Sequence, residues 1–104
     1  MQITGPLLSG PLCRAARALT QMSRPALAEL SGVAKREIRD FESGAALDAR
    51  ARMALRHALE QSGAVFLDED DDLGAGVRLR FTQPDVRQLQ RLESEGGKAG
   101  EDDV

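Results

Sequence analysis

The sequence predicts a mostly α-helical fold, with four to five short helices and a β-hairpin placed before the last of them. Three observations carry this. Among 104 residues there are three Phe and neither Trp nor Tyr. Core volume must then come from Leu, Ala, Val, Ile and Met, which suits close-packed helices better than an all-β sandwich. Apolar residues recur at helical spacing in segments opened by Ser or Asp and closed by Gly. The period changes to strict alternation once, near residue 77. The length leaves room for one domain.

Residues 1–8 hold Gly5 and Pro6 and show little periodicity, so they read as an irregular lead-in. Ser9 can cap a first helix over Gly10 to Thr20, with Pro11 tolerated in its first turn. Leu12, Ala15, Ala16 and Leu19 would face inward, and Arg14 and Arg17 off that face. Ser23 caps a second helix with Pro25 in its first turn, carrying Ala26, Leu27, Ala28 and Leu30. Ser31-Gly32 ends it, because glycine accepts the left-handed conformation of a sharp turn.

After Val33 a third helix begins near Ala34 and stops at Ser43-Gly44, with Ile38 and Phe41 on one face. Asp48 caps a fourth over Ala49 to Ser62, with Ala51, Leu55, Ala58 and Leu59 on one side and Gly63 after it. Val65-Phe66-Leu67 and Val77-Arg78-Leu79-Arg80-Phe81 read as the two strands of the hairpin, with acidic residues 68–72 in the loop. Thr82 to Glu95 reads as a fifth helix with a Val86, Leu89 and Leu92 stripe. Residues 96–104 are Gly-rich and acidic, the composition of a disordered tail.

Composition also excludes function classes. Cys13 is the single cysteine and His57 the single histidine. One thiol forms no internal disulfide and no CxxC metal site, and no calcium-loop spacing occurs. No metal or cofactor is therefore expected. Cys13 reads as a small residue at the core edge, and His57 as a surface or dimer-facing one. No apolar run approaches a membrane span, and the first ten residues lack the pattern of a signal peptide. A cytoplasmic, reducing setting is the expectation. Without a nucleophile–base pair, a metal cluster or a phosphate loop, an enzyme is not expected.

The net charge of −3 hides an asymmetry. Residues 1–62 carry nine Lys/Arg against six Asp/Glu, and residues 63–104 carry five against eleven. The balance is wrong for a non-specific nucleic-acid coat, yet it allows a reader whose basic groups share one face. Five contiguous acids at 68–72 most simply make a solvated, self-repelling turn.

The informative stretch is Met22 to Gly44. Two short helices are joined by Ser31-Gly32-Val33, and Ile38 and Phe41 lock the second onto the first. This is the helix-turn-helix arrangement. It lets the second helix project its N-terminal residues into a DNA major groove. The run Leu19 to Ala28, then Ser31-Gly32-Val33, Ile38, Phe41-Glu42 and Gly44, resembles the Cro/C1-type, lambda-repressor-like (xenobiotic-response-element) helix-turn-helix family. Ala58-Leu59-Glu60, Gly63, Val65-Phe66 and residues 76–80 resemble a bacterial subgroup with a short β extension.

The resemblance implies a recognition helix over Lys35 to Glu42. Lys35 and Arg36 would reach base edges, Arg39 and Asp40 would touch bases or backbone one turn on, and Arg24 would meet phosphate. Alone, these charges would read as a solvated face. Three departures stand out. Ala34 replaces the usual Ser or Thr cap, at a cost of about 1 kcal/mol. Pro25 and Ala26 replace acidic or amide residues. Glu37 and Asp40 bring negative charge, which can accept from cytosine but repels phosphate.

A two-stranded hairpin is marginal alone. Its apolar residues Val65, Leu67, Val77, Leu79 and Phe81 must be covered by the helices or by a second copy. With Val86, Leu89 and Leu92 they suggest a homodimer built on residues 64–95, presenting two helix-turn-helix units (9–63) to a palindromic double-stranded operator. Half-sites would lie about 34 Å apart. The expected function is a transcriptional regulator, most simply a repressor. The alternative is an antitoxin-like module that binds a protein partner and its own promoter, with the fifth helix and tail as the partner-binding part.

Overall fold

A computed structural model describes residues 7–82. It contains four helices followed by a two-stranded antiparallel hairpin, so the described chain is mostly helical. The order is α1 (Gly10–Thr20), α2 (Arg24–Ser31), α3 (Lys35–Glu42), α4 (Ala49–Gln61), β1 (Ala64–Leu67) and β2 (Gly76–Leu79). The expected fifth helix with its Val86, Leu89 and Leu92 stripe, the acidic tail and residues 1–6 of the lead-in lie outside the described residues.

Short polar side chains start three of the helices. Ser9, Ser23 and Asp48 sit in extended backbone and accept from the amides of Leu12, Ala26 and Ala51 at 3.2, 3.2 and 2.7 Å. Each bond satisfies an N–H that has no partner within the first turn. Pro11 and Pro25 stand in first turns, where a missing N–H costs nothing. Ala34 precedes α3 without a side-chain cap.

Between α2 and α3 the backbone turns at Gly32, whose φ of 81° lies in the left-handed region. The Gly32 amide closes on the Ala28 carbonyl at 2.8 Å, and the Val33 amide donates to Ser31 Oγ at 3.1 Å. Val33 then drops into the core.

The core is built from Leu8, Cys13, Ala16, Leu27, Val33, Ile38, Phe41, Leu55, Ala58, Leu59 and Ala64. α2 packs on α3 and α4, while α1 packs on α3, α4 and both strands. Leu8, within the irregular lead-in, is buried with the helix residues of the core. The inward stripe of α1 is Gly10, Cys13 and Ala16. Ala15 and Leu19, expected inside, are exposed, because the stripe is rotated toward Cys13. Gly10 lies so close to α3 that an added methyl would collide with the Phe41 carbonyl oxygen.

The hairpin departs from expectation in face. Ala64 pairs with Leu79 and Phe66 with Val77, while Val65 pairs with Arg78 and Leu67 with Gly76. Cross-strand partners share a face. Val77 therefore stands with Ala64 and Phe66 on the inner side, and Val77 and Phe66 pack against the core. Val65 and Leu67, expected to join Val77 and Leu79, point the other way and are 37% and 41% exposed. The cause is the start point: the strand begins one residue early, at Ala64, straight after Gly63. With a side-chain period of two, the buried Ala64 fixes every later residue of β1.

β2 ends at Leu79, two residues short of expectation, and Phe81 lies beyond it with its ring edge where a side chain on Gly63 would stand. Arg56 of α4 caps Phe66 from 5.2 Å, and Arg80 donates to the Glu60 carbonyl at 2.7 Å. These contacts seat the hairpin on α4.

Candidate nucleic-acid interface

Helix α3 divides its residues by charge. Ile38, Phe41 and Glu42 are buried, whereas Lys35, Arg36, Glu37, Arg39 and Asp40 are exposed. At about 100° per residue, the three buried positions occupy one side. The centre of the opposite side falls on Arg36 and Asp40, one turn apart. Arg39 and Glu37 flank them, and Lys35 stands at the uncapped N-terminal end.

The exposed charges are not all independent. Arg39 donates from Nε and Nη2 to Asp40 Oδ1 at 3.2 and 3.1 Å. Both side chains are about half exposed, so the pair adds little to stability. It does place a guanidinium and a carboxylate side by side on the outer face.

Glu42 is the opposite case. Its side chain is fully buried and accepts from Arg17 Nε and Nη2 at 2.8 Å each and from Arg24 Nε at 3.2 Å. Arg17 also donates to the Met22 carbonyl at 3.2 Å. Burial works against the Glu42 charge. Hydrogen bonds from Arg17, Cys13 and Arg24 outweigh it, and the carboxyl is held below the usual carboxylate range. The bond to Glu42 in turn raises the Arg17 pKa further. Cys13 is fully buried beside this cluster, and burial with the neighbouring Glu42 pushes its thiol up to about 12. It is a core residue and an inert thiol.

Arg24 therefore sits by the C-terminal end of α3, whose last turn holds Arg39, whereas Lys35 and Arg36 stand at the opposite end. Arg24 is anchored at Glu42, and Arg36 lies six residues earlier, about 9 Å along the axis. An open groove lined by Arg14, Arg17, Gln21, Met22 and Ser23 runs beside the start of α2. Arg24 keeps 39% of its side chain exposed while bonded to Glu42.

The Arg17–Glu42 pair is not among the site residues that the sequence predicts. Helical spacing points Arg17 off the inward face of α1 and gives Glu42 no role of its own. The signal was present: Glu42 follows Ile38 by four residues and so shares its inward face. A buried carboxylate requires cations.

Of the other residues singled out, Val77, Leu79 and Phe81 are half-buried, Val65 and Leu67 are exposed, and His57 is exposed on α4. In the acidic loop, Asp70 accepts from the amides of Leu73 and Asp72 at 2.7 and 2.8 Å, which lowers its pKa. Among the described residues no group of His, Cys, Asp and Glu could hold a metal ion, and no helix is long and apolar enough to cross a membrane. Compared with known proteins, the chain matches no family model and no curated relative.

Proposed function

We propose that residues 9–63 form a Cro/C1-type helix-turn-helix unit and that the chain is a sequence-specific double-stranded-DNA-binding transcriptional regulator. The observation that carries this reading is the pairing of α2 and α3 across Gly32-Val33-Ala34. One side of α3 is sunk in the core, and its outer side carries only charged residues. A short helix held this way can enter a major groove, about 12 Å wide, while α2 crosses the backbone.

In this reading Lys35 and Arg36 reach base edges, Arg39 and Asp40 work one turn further along, and Arg24 meets phosphate while Glu42 holds it. Two copies, joined through residues 64–95, would address a palindromic operator. Occupancy of a promoter would then repress by excluding polymerase.

The test is fluorescence anisotropy with the DNA upstream of the chain's own gene, across a salt series, against a scrambled duplex. Preference for the native sequence with a steep salt slope supports the reading, and the slope counts phosphate contacts. Equal binding to both duplexes at moderate salt, with this and a genome-wide fragment pool, removes it.

A further inference from the structure

The regulator reading leaves the operator sequence open, and the outer face of α3 narrows it. Five side chains project there: Lys35, Arg36, Glu37, Arg39 and Asp40. Each belongs to a type with a defined partner in the major groove. Guanine offers two acceptors, N7 and O6, which Arg and Lys satisfy. Cytosine offers the N4 amino donor, which a carboxylate accepts. Adenine pairs an acceptor with a donor and is met by Asn or Gln. The outer face of α3 has neither amide.

We infer that α3 reads a G·C-rich half-site core, with Arg36 on guanine and Asp40 on cytosine as its central pair. The inference rests on the DNA-binding reading above. Arg36 and Asp40 occupy the middle of the outer face, about 6 Å apart along the helix, which spans about two base-pair steps. The geometry of Asp40 suits this role. Arg39 takes both of its hydrogen bonds on Oδ1, not on Oδ2. The Arg39 charge offsets the repulsion between Asp40 and phosphate, and the half-exposed Asp40 carboxylate keeps a second oxygen to accept from N4 of cytosine. Ala34, exposed at the start of α3, can add one thymine-methyl contact at the margin of the core. An A·T-rich core would offer each cation one acceptor per base in place of the two that guanine presents, so Arg36 would lose its bidentate partner.

The experiment is selection of the full-length chain on randomised duplex DNA, followed by the same selection with R36Q and D40N. Both positions are exposed, and circular dichroism checks that each variant keeps the wild-type helix content. The expected result is an enriched motif with a G·C core. R36Q should move one position from guanine to adenine, and D40N a second position from cytosine to adenine, each by at least about fivefold. An enriched motif with an A·T-rich core would overturn this inference and leave the regulator reading standing. A G·C core unchanged in both variants would overturn the assignment of Arg36 and Asp40. Failure to enrich any motif would remove the regulator reading and the inference with it.

Discussion

Arg17 grips Glu42 with two parallel bonds of 2.8 Å, joining the last turn of α1 to the last residue of α3. The two residues are 25 apart in sequence, and Glu42 is fully buried while Arg17 keeps 18% exposure. Bidentate geometry makes this among the stronger side-chain pairings available. Removing one partner leaves the other charged and short of water. Glu42→Ala is expected to cost about 2–3 kcal/mol, below the full penalty of a wholly buried pair because Arg17 stays partly hydrated. Urea denaturation measures it, and a loss under 0.5 kcal/mol on the order of a surface change would refute the role.

The same carboxyl sets an acid dependence. Glu42 has a lowered pKa when folded, so its contribution is complete above the unfolded value of about 4.3 and is lost as pH falls through the lower folded value. Wild type should lose stability from about pH 5 downward. Glu42→Gln should start less stable at pH 7 and show a shallower fall over that range. Urea midpoints at four pH values give both slopes, and parallel slopes would show that Glu42 does not contribute.

Gly10→Ala separates packing from helix propensity. Alanine is the better helix former by about 1 kcal/mol. Here its methyl would run into the Phe41 carbonyl oxygen, a backbone atom with no flexible end to yield. The variant is therefore expected to be less stable, by about 1–3 kcal/mol. A rise in melting temperature would mean that α1 and α3 can part without cost.

Ala34 offers a gain. It holds the extended N-cap conformation, φ −62° and ψ 142°, and lacks only the oxygen. Ala34→Ser is expected to stabilise by about 1 kcal/mol through a bond to an amide of the first turn. Thermal unfolding compared with wild type checks it; no gain would mean that the Lys35–Glu37 amides are already satisfied by other means.

Much of this fold was legible because its signals are local. Caps at Ser9, Ser23 and Asp48, the Gly32 turn and the spacing of Ile38 and Phe41 each act within four residues, and α1, α2 and α4 begin at those caps while α2 ends at that turn. What escaped depends on distant partners. Periodicity alone could not choose between the Leu12–Leu19 stripe and the Cys13–Ala16 one on α1, since both are apolar at helical spacing. Nor could it orient β1, where Ala64, Val65, Phe66 and Leu67 are all apolar and either alternation satisfies the pattern. The exposed charges of α3 were readable as a site only through the turn before them. Glu42 was hidden because its charge suggested solvent while its position pointed to the core.

Arg36→Ala tests the proposed interface at its centre. The side chain is exposed and makes no contact with the core, so stability should change by less than about 0.5 kcal/mol. Binding to the operator should weaken by about 1–3 kcal/mol and lose preference at one base pair. Anisotropy with single-base operator variants measures both, and unchanged affinity with unchanged preference would exclude Arg36 from the site.

Leu67→Lys tests the proposed dimer. Leu67 points outward from β1, 41% exposed, directly opposite Gly76, so a lysine there has no charge across from it and meets Arg78 only on the diagonal. Val65 would be a poorer choice, because a lysine there would face Arg78. The fold should tolerate Leu67→Lys within about 0.5 kcal/mol. If the outer face of the hairpin joins two copies, a charge placed there at Leu67 must be desolvated on association. Sedimentation should then shift from dimer to monomer, and operator binding should weaken as the two half-sites cease to be held together. Phe66→Lys, on the inner face, should unfold the hairpin and lower the melting temperature. A Leu67→Lys protein that remains dimeric would move the interface off this face.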